Sequence, residues 1–370
     1  MARRILALIA FFCSLPASAD QEQVLRTRQF AYPTSLVGDM GPNVAPIVSI
    51  APSLDSSRAY LLDISEAEIL GRTEKPVRDA WDRVRNGFAL APLKTSLVAE
   101  REQWYRQRKD LVLAISQKAR RYLHHIVEAV EARGLPTEIA LLPFVESGFE
   151  PLALSSAQAA GLWQFIPGTA QRYRLPLNEH YDARRDIVAS TEAALNYLEF
   201  LYGLFQDWHL AFAAYNWGEE AVQRAIQRNQ ARGLPTDYES LIMPEETRLY
   251  VPKLMAIRNI VADPDHHGIV LADIDNAPYF SRVEVAHELD AQSVARMAGL
   301  SVAEVLALNP SHKSQNISGR GKPAVLLPSD RVAEFSTRLS VLPVKVKAVG
   351  KRPALPKAVI GLRQTAGMAL

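Results

Sequence analysis

The chain has 370 residues, of which 48% are hydrophobic and 22% are charged, and its formal net charge is +2. This composition is ordinary for a soluble globular protein, and the length allows two domains with a sizeable core. The only cysteine, Cys13, lies near the N-terminus, so disulfides and thiolate chemistry are excluded from the rest of the chain.

The first 19 residues are predicted to form a secretory signal peptide. Two arginines precede the apolar run Ile5–Leu15, and the sequence ASA at 17–19 fits a small-x-small cleavage pattern. A retained membrane anchor is the alternative, but eleven residues are too few to span a bilayer. Phe12 stands where lipid attachment to Cys13 would need a small residue. We therefore expect a periplasmic protein without stable membrane insertion, in which association with the outer membrane or the cell wall stays open.

Residues 20–95 are predicted to form an irregular and partly helical extension. Four prolines between residues 33 and 52 interrupt its first part, whereas apolar residues recur at helical spacing in Val77–Phe88. We therefore expect one short amphipathic helix near the end of this extension.

Residues 96–270 are predicted to form an all-α domain. Apolar residues recur near a 3.6-residue period, and no strand-like alternation is present between residues 96 and 262. Pro143 implies a kink or a tightened last turn in its helix. The predicted helical segments are Ser96–Arg133, Pro136–Ser147, Ala159–Tyr173 with an interruption at Pro167-Gly168, Ile187–Phe205, Trp208 to a stop at Gly218, Glu219–Asn229 and Glu245–Val261.

The sequence pattern of the C-terminal part differs from that of the all-α domain. Residues 279–335 are predicted to form a small α+β module, and residues 344–370, with six basic residues and no acid, a disordered basic tail. The predicted elements of the module are strand Tyr279–Ala286, helices Gln292–Ala298 and Val302–Asn309, and strand Ala324–Leu327.

One carboxylate stands in an unusual place. Glu146 follows directly after the apolar run Leu141–Val145. Burying an ionised carboxylate is costly unless it is paired or protonated. Glu146 therefore either points to solvent at a helix end or is kept protonated for a chemical purpose. A general acid that works near neutral pH needs a raised pKa, which apolar surroundings provide.

Several common catalytic patterns are missing from the chain. It contains no HExxH, Walker, GxGxxG or GxSxG motif. The adjacent pair His124-His125 lies on a predicted helix and the pair His266-His267 in a turn, and neither arrangement favours a metal site. Because the basic excess lies in the tail and not on a folded face, nucleic-acid binding is not expected. We expect neither a metal nor another cofactor.

Four segments, taken together, resemble one family. They are ESGFEP at 146–151, AAGLWQFIPGTA at 159–170, LAFAAYNWG at 210–218 and ETRLYVPKL at 246–254. Their order and spacing resemble the catalytic domain of the soluble lytic transglycosylases, which has a goose-type lysozyme-like fold. The flanking segments ALLPFVES, YDARRD and YVPK are similar to those of the membrane-bound lytic murein transglycosylase D group. The resemblance covers about residues 75–330.

This resemblance implies a reaction and a partner. Such enzymes cleave the β-1,4 bond between N-acetylmuramic acid and N-acetylglucosamine in the glycan strands of peptidoglycan and leave a 1,6-anhydro ring. One carboxylic acid serves throughout, so by position Glu146 is expected to act as acid and then as base. The implied chain is mainly α, with a lysozyme-like all-α catalytic domain followed by the small α+β module.

The resemblance also implies roles for residues around the acid. Tyr250 is expected to donate a hydroxyl hydrogen bond to Glu146, and Gln164 to bind sugar from a helix. The remaining expected roles are substrate contact by Ser147 and lining of the glycan groove by Ile166, Tyr215 and Asn216.

The module at 279–335 resembles a degenerate LysM glycan-binding repeat. The segments that carry this resemblance are SVARMAGLSVAEVLALNP at 293–310 and VLLP at 325–328, whereas the first strand differs from the usual one. A helical extension packed on the catalytic domain is the alternative.

Two further functions are left open by the sequence. A second carboxylate facing Glu146 across the cleft would make hydrolysis by a muramidase plausible, and a non-catalytic peptidoglycan-binding scaffold would not need Glu146. The candidate second acids are Glu150, Asp182, Asp186 and Glu192.

Overall fold

The computed structural model describes residues 77–93, 95–285, 289–314, 316–317 and 324–340. The predictions for the signal peptide, for residues 20–76 and for the basic tail lie outside the described residues. Within the described ranges, no helix combines the length and the apolar character that crossing a membrane requires.

The larger unit of the chain is helical. A short 3₁₀ helix, Thr137–Leu141, precedes α5, and a second, Tyr238–Ser240, precedes α10. In chain order the α-helices are α1 (Ala80–Asn86), α2 (Ser96–Arg106), α3 (Lys109–Ala119), α4 (Leu123–Glu131), α5 (Leu142–Glu146), α6 (Pro167–Arg172), α7 (Ile187–Phe205), α8 (Trp208–Trp217), α9 (Glu219–Gln230) and α10 (Glu245–Ala262).

Helices α7, α8 and α10 form the centre of this unit. Helix α8 packs against α7, α9 and α10, and α2 packs along α10. Leu198 of α7, Phe212 of α8 and Ile257 of α10 are fully buried. Burying a side chain of this size stabilises the fold by about 1.5–3 kcal/mol. This core therefore fixes the helices whose ends carry the site described below.

The predicted long helical region Ser96–Arg133 is three helices, α2, α3 and α4. The chain breaks after Arg106 and again between Ala119 and Leu123, where Tyr122 is almost fully buried. Neither break contains glycine or proline, so the local sequence carries no stop signal there.

Pro143 begins a helix and does not kink one. The predicted segment Pro136–Ser147 divides into the 3₁₀ helix Thr137–Leu141 and α5, and Pro143 lies in the first turn of α5. Because first-turn N–H groups have no partner inside a helix, proline is well tolerated at that position. The result is a new helix axis that ends at Glu146.

The predicted helix Ala159–Tyr173 was wrong over its first half. Only Pro167–Arg172 is helical, and it begins at the proline. Gly161 and Gln164 have φ angles of 86° and 48°, which a right-handed helix does not accommodate. Residues 158–165, here called the Gln164 turn, are instead held by isolated β-bridges from Ala160 to Leu154 and to Phe165.

The smaller unit is the predicted strand–helix–helix–strand module. Strand β1 (Phe280–Glu284) pairs antiparallel with β4 (Ala324–Pro328), and α11 (Ala291–Ala298) and α12 (Val302–Leu308) lie between them in sequence. The short pair β2 (Leu289–Asp290) and β3 (Asn316–Ile317) and the final helix α13 (Val332–Ser340) were not predicted. A small separate core, with Val294, Val305, Val325 and Phe335 fully buried, holds the module together.

A buried asparagine connects α12 to β4. The Asn309 amide nitrogen donates to the carbonyl oxygens of Val305 and Leu326, both at 2.8 Å, and its oxygen accepts from the Leu326 N–H at 2.9 Å. The Asn309→Ala variant would leave buried Leu326 backbone groups without these partners. We expect a loss of about 3 kcal/mol in the free energy of unfolding, measured by urea denaturation.

The control is Asn196→Ala, which removes only an exposed hydrogen bond from Arg133. Its unfolding free energy should change by less than about 0.5 kcal/mol. Equal losses in the two variants would contradict the role assigned to Asn309.

Candidate active site

Glu146 is the last residue of α5, and the residues before it fix its position. Leu141, Leu142 and Phe144 are buried in the core. Glu146 itself is half-buried, with its carboxyl end directed into the interior beside Tyr250. The apolar run noted in the sequence therefore anchors α5 in the core and so fixes where Glu146 lies.

The surroundings of Glu146 change its acidity. Burial raises the pKa of its carboxyl from 4.5 to about 7. The hydrogen bond from Tyr250 opposes this rise, the negative charge of Glu246 adds to it, and the cation of Lys253 opposes it. A carboxyl with a pKa of about 7 is about half protonated at pH 7. It is therefore able both to give and to take a proton near neutral pH.

Tyr250, on α10, is almost fully buried and donates its hydroxyl hydrogen to Glu146 Oε1. This is the contact that the family resemblance implies. Burial, reinforced by the nearby charge of Glu146, holds the pKa of the Tyr250 phenol well above its usual value. The phenol therefore stays protonated and remains a donor to the carboxyl.

Ser147 connects the acid to the Gln164 turn. It is buried, and its hydroxyl donates to the carbonyl oxygen of Leu162 at 2.9 Å and lies 3.2 Å from that of Pro143. The hydroxyl proton thus serves a bond within the protein. The expected contact of Ser147 with substrate stays a prediction.

Gln164 lies on the turn and not on a helix, in contrast to the interpretation from sequence. Its side chain is half-buried, and Nε2 donates to the carbonyl of Gly161 at 2.8 Å and approaches that of Ala153 at 3.4 Å. Among the described residues, no hydrogen bond reaches its amide oxygen. Ile166, also half-buried, immediately precedes α6.

Tyr215 and Asn216 lie at the end of α8 and connect this helix end to the Gln164 turn and to α10. The Tyr215 hydroxyl donates to the carbonyl of Trp163, within the turn, at 2.8 Å. Burial and then the charge of Glu146 raise the pKa of Tyr215 well above its usual value. Asn216 Oδ1 accepts from the Thr247 hydroxyl of α10 at 2.8 Å. Five of the seven predicted site residues are thereby joined: Glu146, Ser147, Gln164 through its turn, Tyr215 and Tyr250.

Each of the four candidate second acids is engaged elsewhere. Glu150 pairs with Lys118 at 3.0 Å, and Glu192 with Arg133 at 2.5 Å. The other two act in the loop before α7. Asp182 is bound by Arg184, and Asp186 caps the α7 N-terminus and accepts from Tyr181.

Two charged residues of the site were not assigned from sequence. Glu246 and Lys253 share one face of α10 with Tyr250, at spacings of four and three residues. Both act electrostatically on Glu146, and burial lowers the pKa of Lys253. The helical spacing within ETRLYVPKL is the signal that could have identified them. Within the described residues, no three His, Cys, Asp or Glu side chains converge as a metal site.

Comparison with known families identifies the two domains of the chain. Residues 125–235 match the transglycosylase SLT domain, and residues 279–343 match the LysM-like domain of lytic transglycosylase MltD. This chain carries an SLT domain followed by a MltD-type LysM-like domain. The SLT match spans Glu146, Ser147, the Gln164 turn and the end of α8, whereas Tyr250 lies beyond it.

Alignments with named relatives extend beyond the SLT domain. The chain is 36% identical over 271 residues to membrane-bound lytic murein transglycosylase D of Escherichia coli strain K12, and equally to that of strain O6:H1. Each alignment covers 73% of this chain and 60% of the relative. Membrane-bound lytic murein transglycosylase C of Mannheimia succiniciproducens is 30% identical over 130 residues, which is 31% of this chain and 36% of that protein. The chain thus spans 60% of the length of the two Escherichia coli relatives.

The raised pKa of Glu146 in the SLT domain makes stability depend on pH. Because its folded pKa of about 7 exceeds the ordinary 4.5, the folded state takes up a proton between these values. The stability that Glu146 contributes is therefore complete below pH 4.5 and is lost as the pH rises through 7. Glu146→Gln carries no charge at either pH. We therefore expect its free energy of unfolding, relative to that of wild type, to be higher at pH 8 than at pH 4.5 by up to about 3 kcal/mol.

The measurement is urea unfolding of wild type and Glu146→Gln at both pH values. A stability difference that is the same at pH 4.5 and pH 8 would contradict the raised pKa.

Proposed function

We propose that this chain is a peptidoglycan lytic transglycosylase with Glu146 as its single acid and base. It would cleave the β-1,4 bond between N-acetylmuramic acid and N-acetylglucosamine and form 1,6-anhydromuramic acid. The observation that carries the proposal is the buried carboxyl of Glu146, whose pKa is raised to about 7 and which is held by Tyr250 beside the Gln164 turn. The names of the murein transglycosylase relatives support peptidoglycan as the substrate class.

In the first step, protonated Glu146 gives its proton to the glycosidic oxygen as the bond to the muramyl anomeric carbon breaks. The released N-acetylglucosamine end carries that proton as its new hydroxyl. Positive charge that develops at the anomeric carbon would be stabilised by the acetamido group of the substrate itself. The hydrogen bond from Tyr250 stabilises the carboxylate that this step produces.

In the second step, the muramyl 6-hydroxyl attacks the anomeric carbon and closes the 1,6-anhydro ring. Glu146, now a carboxylate, takes the 6-hydroxyl proton and returns to its starting form. Protons balance across the two steps, and no water is consumed. A pKa near the working pH suits a group that must perform both transfers.

The remaining site residues would bind the glycan. Gln164 offers its amide oxygen to a sugar N–H or hydroxyl, and Ile166 and Tyr215 offer apolar surface to a ring face. Asn216 and Ser147 would act at closer range, at the end of α8 and next to the acid. These roles rest on the position of each residue within the motifs.

The contacts of the candidate second acids favour a transglycosylase with a single acid over a hydrolytic muramidase. Glu150, Asp182, Asp186 and Glu192 are bound to Lys118, Arg184, Tyr181 and Arg133 respectively, which supports a mechanism without a second carboxylate. Glu246, an exposed residue on the same face of α10 as Tyr250, has a negative charge that raises the pKa of Glu146. It is the residue to test if hydrolysis is found.

We also propose that the chain works in the periplasm. The signal-peptide pattern in residues 1–19 and the murein named for its relatives support this location. An outer-membrane or cell-wall association is consistent with the membrane-bound relatives.

The activity is tested by digesting purified cell-wall sacculi and analysing the products by mass spectrometry. Wild type should release muropeptides one water lighter than hydrolytic products, with 1,6-anhydromuramic ends and no reducing muramic ends. The Glu146→Gln variant should lose at least about a thousandfold in rate, because it removes the group for both proton transfers.

The matched control is Glu150→Gln, which removes a carboxyl four residues away that pairs with Lys118. Its rate should stay within about threefold of wild type. Reducing muramic ends would support a muramidase, for which Glu246→Gln should then abolish activity. Full function with Glu146→Gln would support a non-catalytic scaffold.

Tyr250→Phe tests the hydrogen bond to the acid. Because this bond lowers the pKa of Glu146, its loss should raise that pKa and move the alkaline fall in kcat/KM to higher pH. Rate at the optimum should fall about tenfold, the usual scale for a lost hydrogen bond to a charged group. A pH profile that is unchanged or shifted to lower pH would contradict the contact.

A further inference from the structure

The Gln164 turn is not helical, so helical hydrogen bonds do not fix its backbone. Besides Gly161, two non-glycine residues of the turn have positive φ angles, Gln158 at 61° and Gln164 at 48°. Each such residue costs on the order of 1–3 kcal/mol, so the surrounding structure must hold the turn in this conformation.

One buried guanidinium holds both ends of the turn. Arg184 Nη1 donates to the carbonyl of Gln158 at 2.6 Å and to that of Phe165 at 3.2 Å. The Arg184 backbone also lies against the middle of the turn, because a Cβ added at Gly161 would lie 1.9 Å from the Arg184 carbonyl oxygen. Arg184 therefore touches the turn at its beginning, middle and end.

Asp182 orients that guanidinium. Arg184 Nε donates to Asp182 Oδ1 at 2.9 Å and Nη2 to Oδ2 at 2.8 Å, a bidentate pair. Asp182 is 2% exposed and Arg184 is 6% exposed. A buried ion pair persists only when its geometry and its other hydrogen bonds are satisfied. The two carbonyls of the turn supply those bonds.

The LysM-like domain pairs with the segment that carries Asp182. The Asp182 N–H donates to the Ser311 carbonyl at 2.8 Å, and the Lys313 N–H donates to the His180 carbonyl at 2.9 Å. Between them, Tyr181 and His312 form an antiparallel β-bridge. Residues 311–313 thus extend the loop before α7 by one short strand, with Asp182 and Ser311 both buried.

We propose that Arg184 is a positioning residue for the Gln164 turn, and that the LysM-like domain braces it through residues 311–313. The chain of contacts runs from that domain to Asp182, to Arg184 and to the turn that offers Gln164 to the glycan. The LysM-like domain thereby supports the active site itself, apart from any glycan that it binds. The kinetic side of this inference rests on the proposed transglycosylase function.

The first test is Arg184→Lys in the full chain, with soluble glycan chains as substrate. Lysine keeps the charge but loses the planar fork that reaches Asp182 and both carbonyls. Since the turn binds substrate and Glu146 is untouched, KM should rise about tenfold while kcat stays within about twofold. The pH at which kcat/KM falls should not move.

The control is Arg133→Lys. Arg133 also makes several bonds within the SLT domain, to Asn196, Glu192 and Glu199, but none to the turn. Its KM should equal that of wild type even if it loses comparable stability. If Arg184→Lys does not fold, Asp182→Asn replaces it, since the amide keeps the shape and weakens the ion pair.

The second test addresses the brace with Lys313→Pro, which removes the N–H that donates to His180. Lys313→Ala is its control, since it removes only the exposed Nζ bond to Asn178. We expect KM to rise about fivefold for the proline variant and less than about twofold for alanine. In the double variant with Arg184→Lys, the combined effect should be smaller than the product of the two.

Amide hydrogen exchange of residues 158–165 provides a readout that needs no activity. Exchange should be faster in Arg184→Lys and Lys313→Pro than in their controls. If wild type makes no anhydro products, the proposed function fails, and exchange alone decides the positioning role. Unchanged exchange and KM in folded Arg184→Lys would overturn the inference, and independent effects in the double variant would overturn the brace.

Discussion

The site depends on keeping one carboxyl out of water without leaving it unpaired. Burial removes solvent from Glu146 and raises its pKa to about 7, and the Tyr250 phenol donates a hydrogen bond to the carboxyl. With burial alone, the carboxyl would stay protonated and be a poor base. With a fully paired carboxylate, it would be a poor acid. The balance between burial and one hydrogen bond leaves both forms available near neutral pH, which a single residue needs to serve two proton transfers.

Much of the helical scaffold was predictable because its signals are local. Helix α7 has the predicted bounds Ile187–Phe205, since Asp186 caps its start and a wide apolar face defines its length. The smaller module also has its predicted strand–helix–helix–strand order, because capping residues such as Asp290 and Ser301 mark its helix starts. The unusual surroundings of Glu146 were predictable for a different reason: a charge directly after a five-residue apolar run conflicts with burial unless it is protonated.

What was missed depends on contacts between distant parts of the chain. The breaks around α3 contain no glycine or proline, and the Gln164 turn has positive φ angles at glutamines, which sequence patterns assign to helix. Within the charge-dense segment YDARRD, Arg184 and Asp182 form a buried ion pair. Its partners, the turn on one side and residues 311–313 on the other, become visible only when the two domains are seen together.

The most direct test of the account is a titration of Glu146 itself. Carbon-13 NMR of glutamate side-chain carboxyls in wild type, with the signal assigned by its loss in Glu146→Gln, follows protonation of this group from pH 4 to pH 9. The account predicts a midpoint near pH 7. A midpoint near 4.5, the ordinary value, would contradict it, because Glu146 would then be a solvated carboxylate with no proton to give at neutral pH.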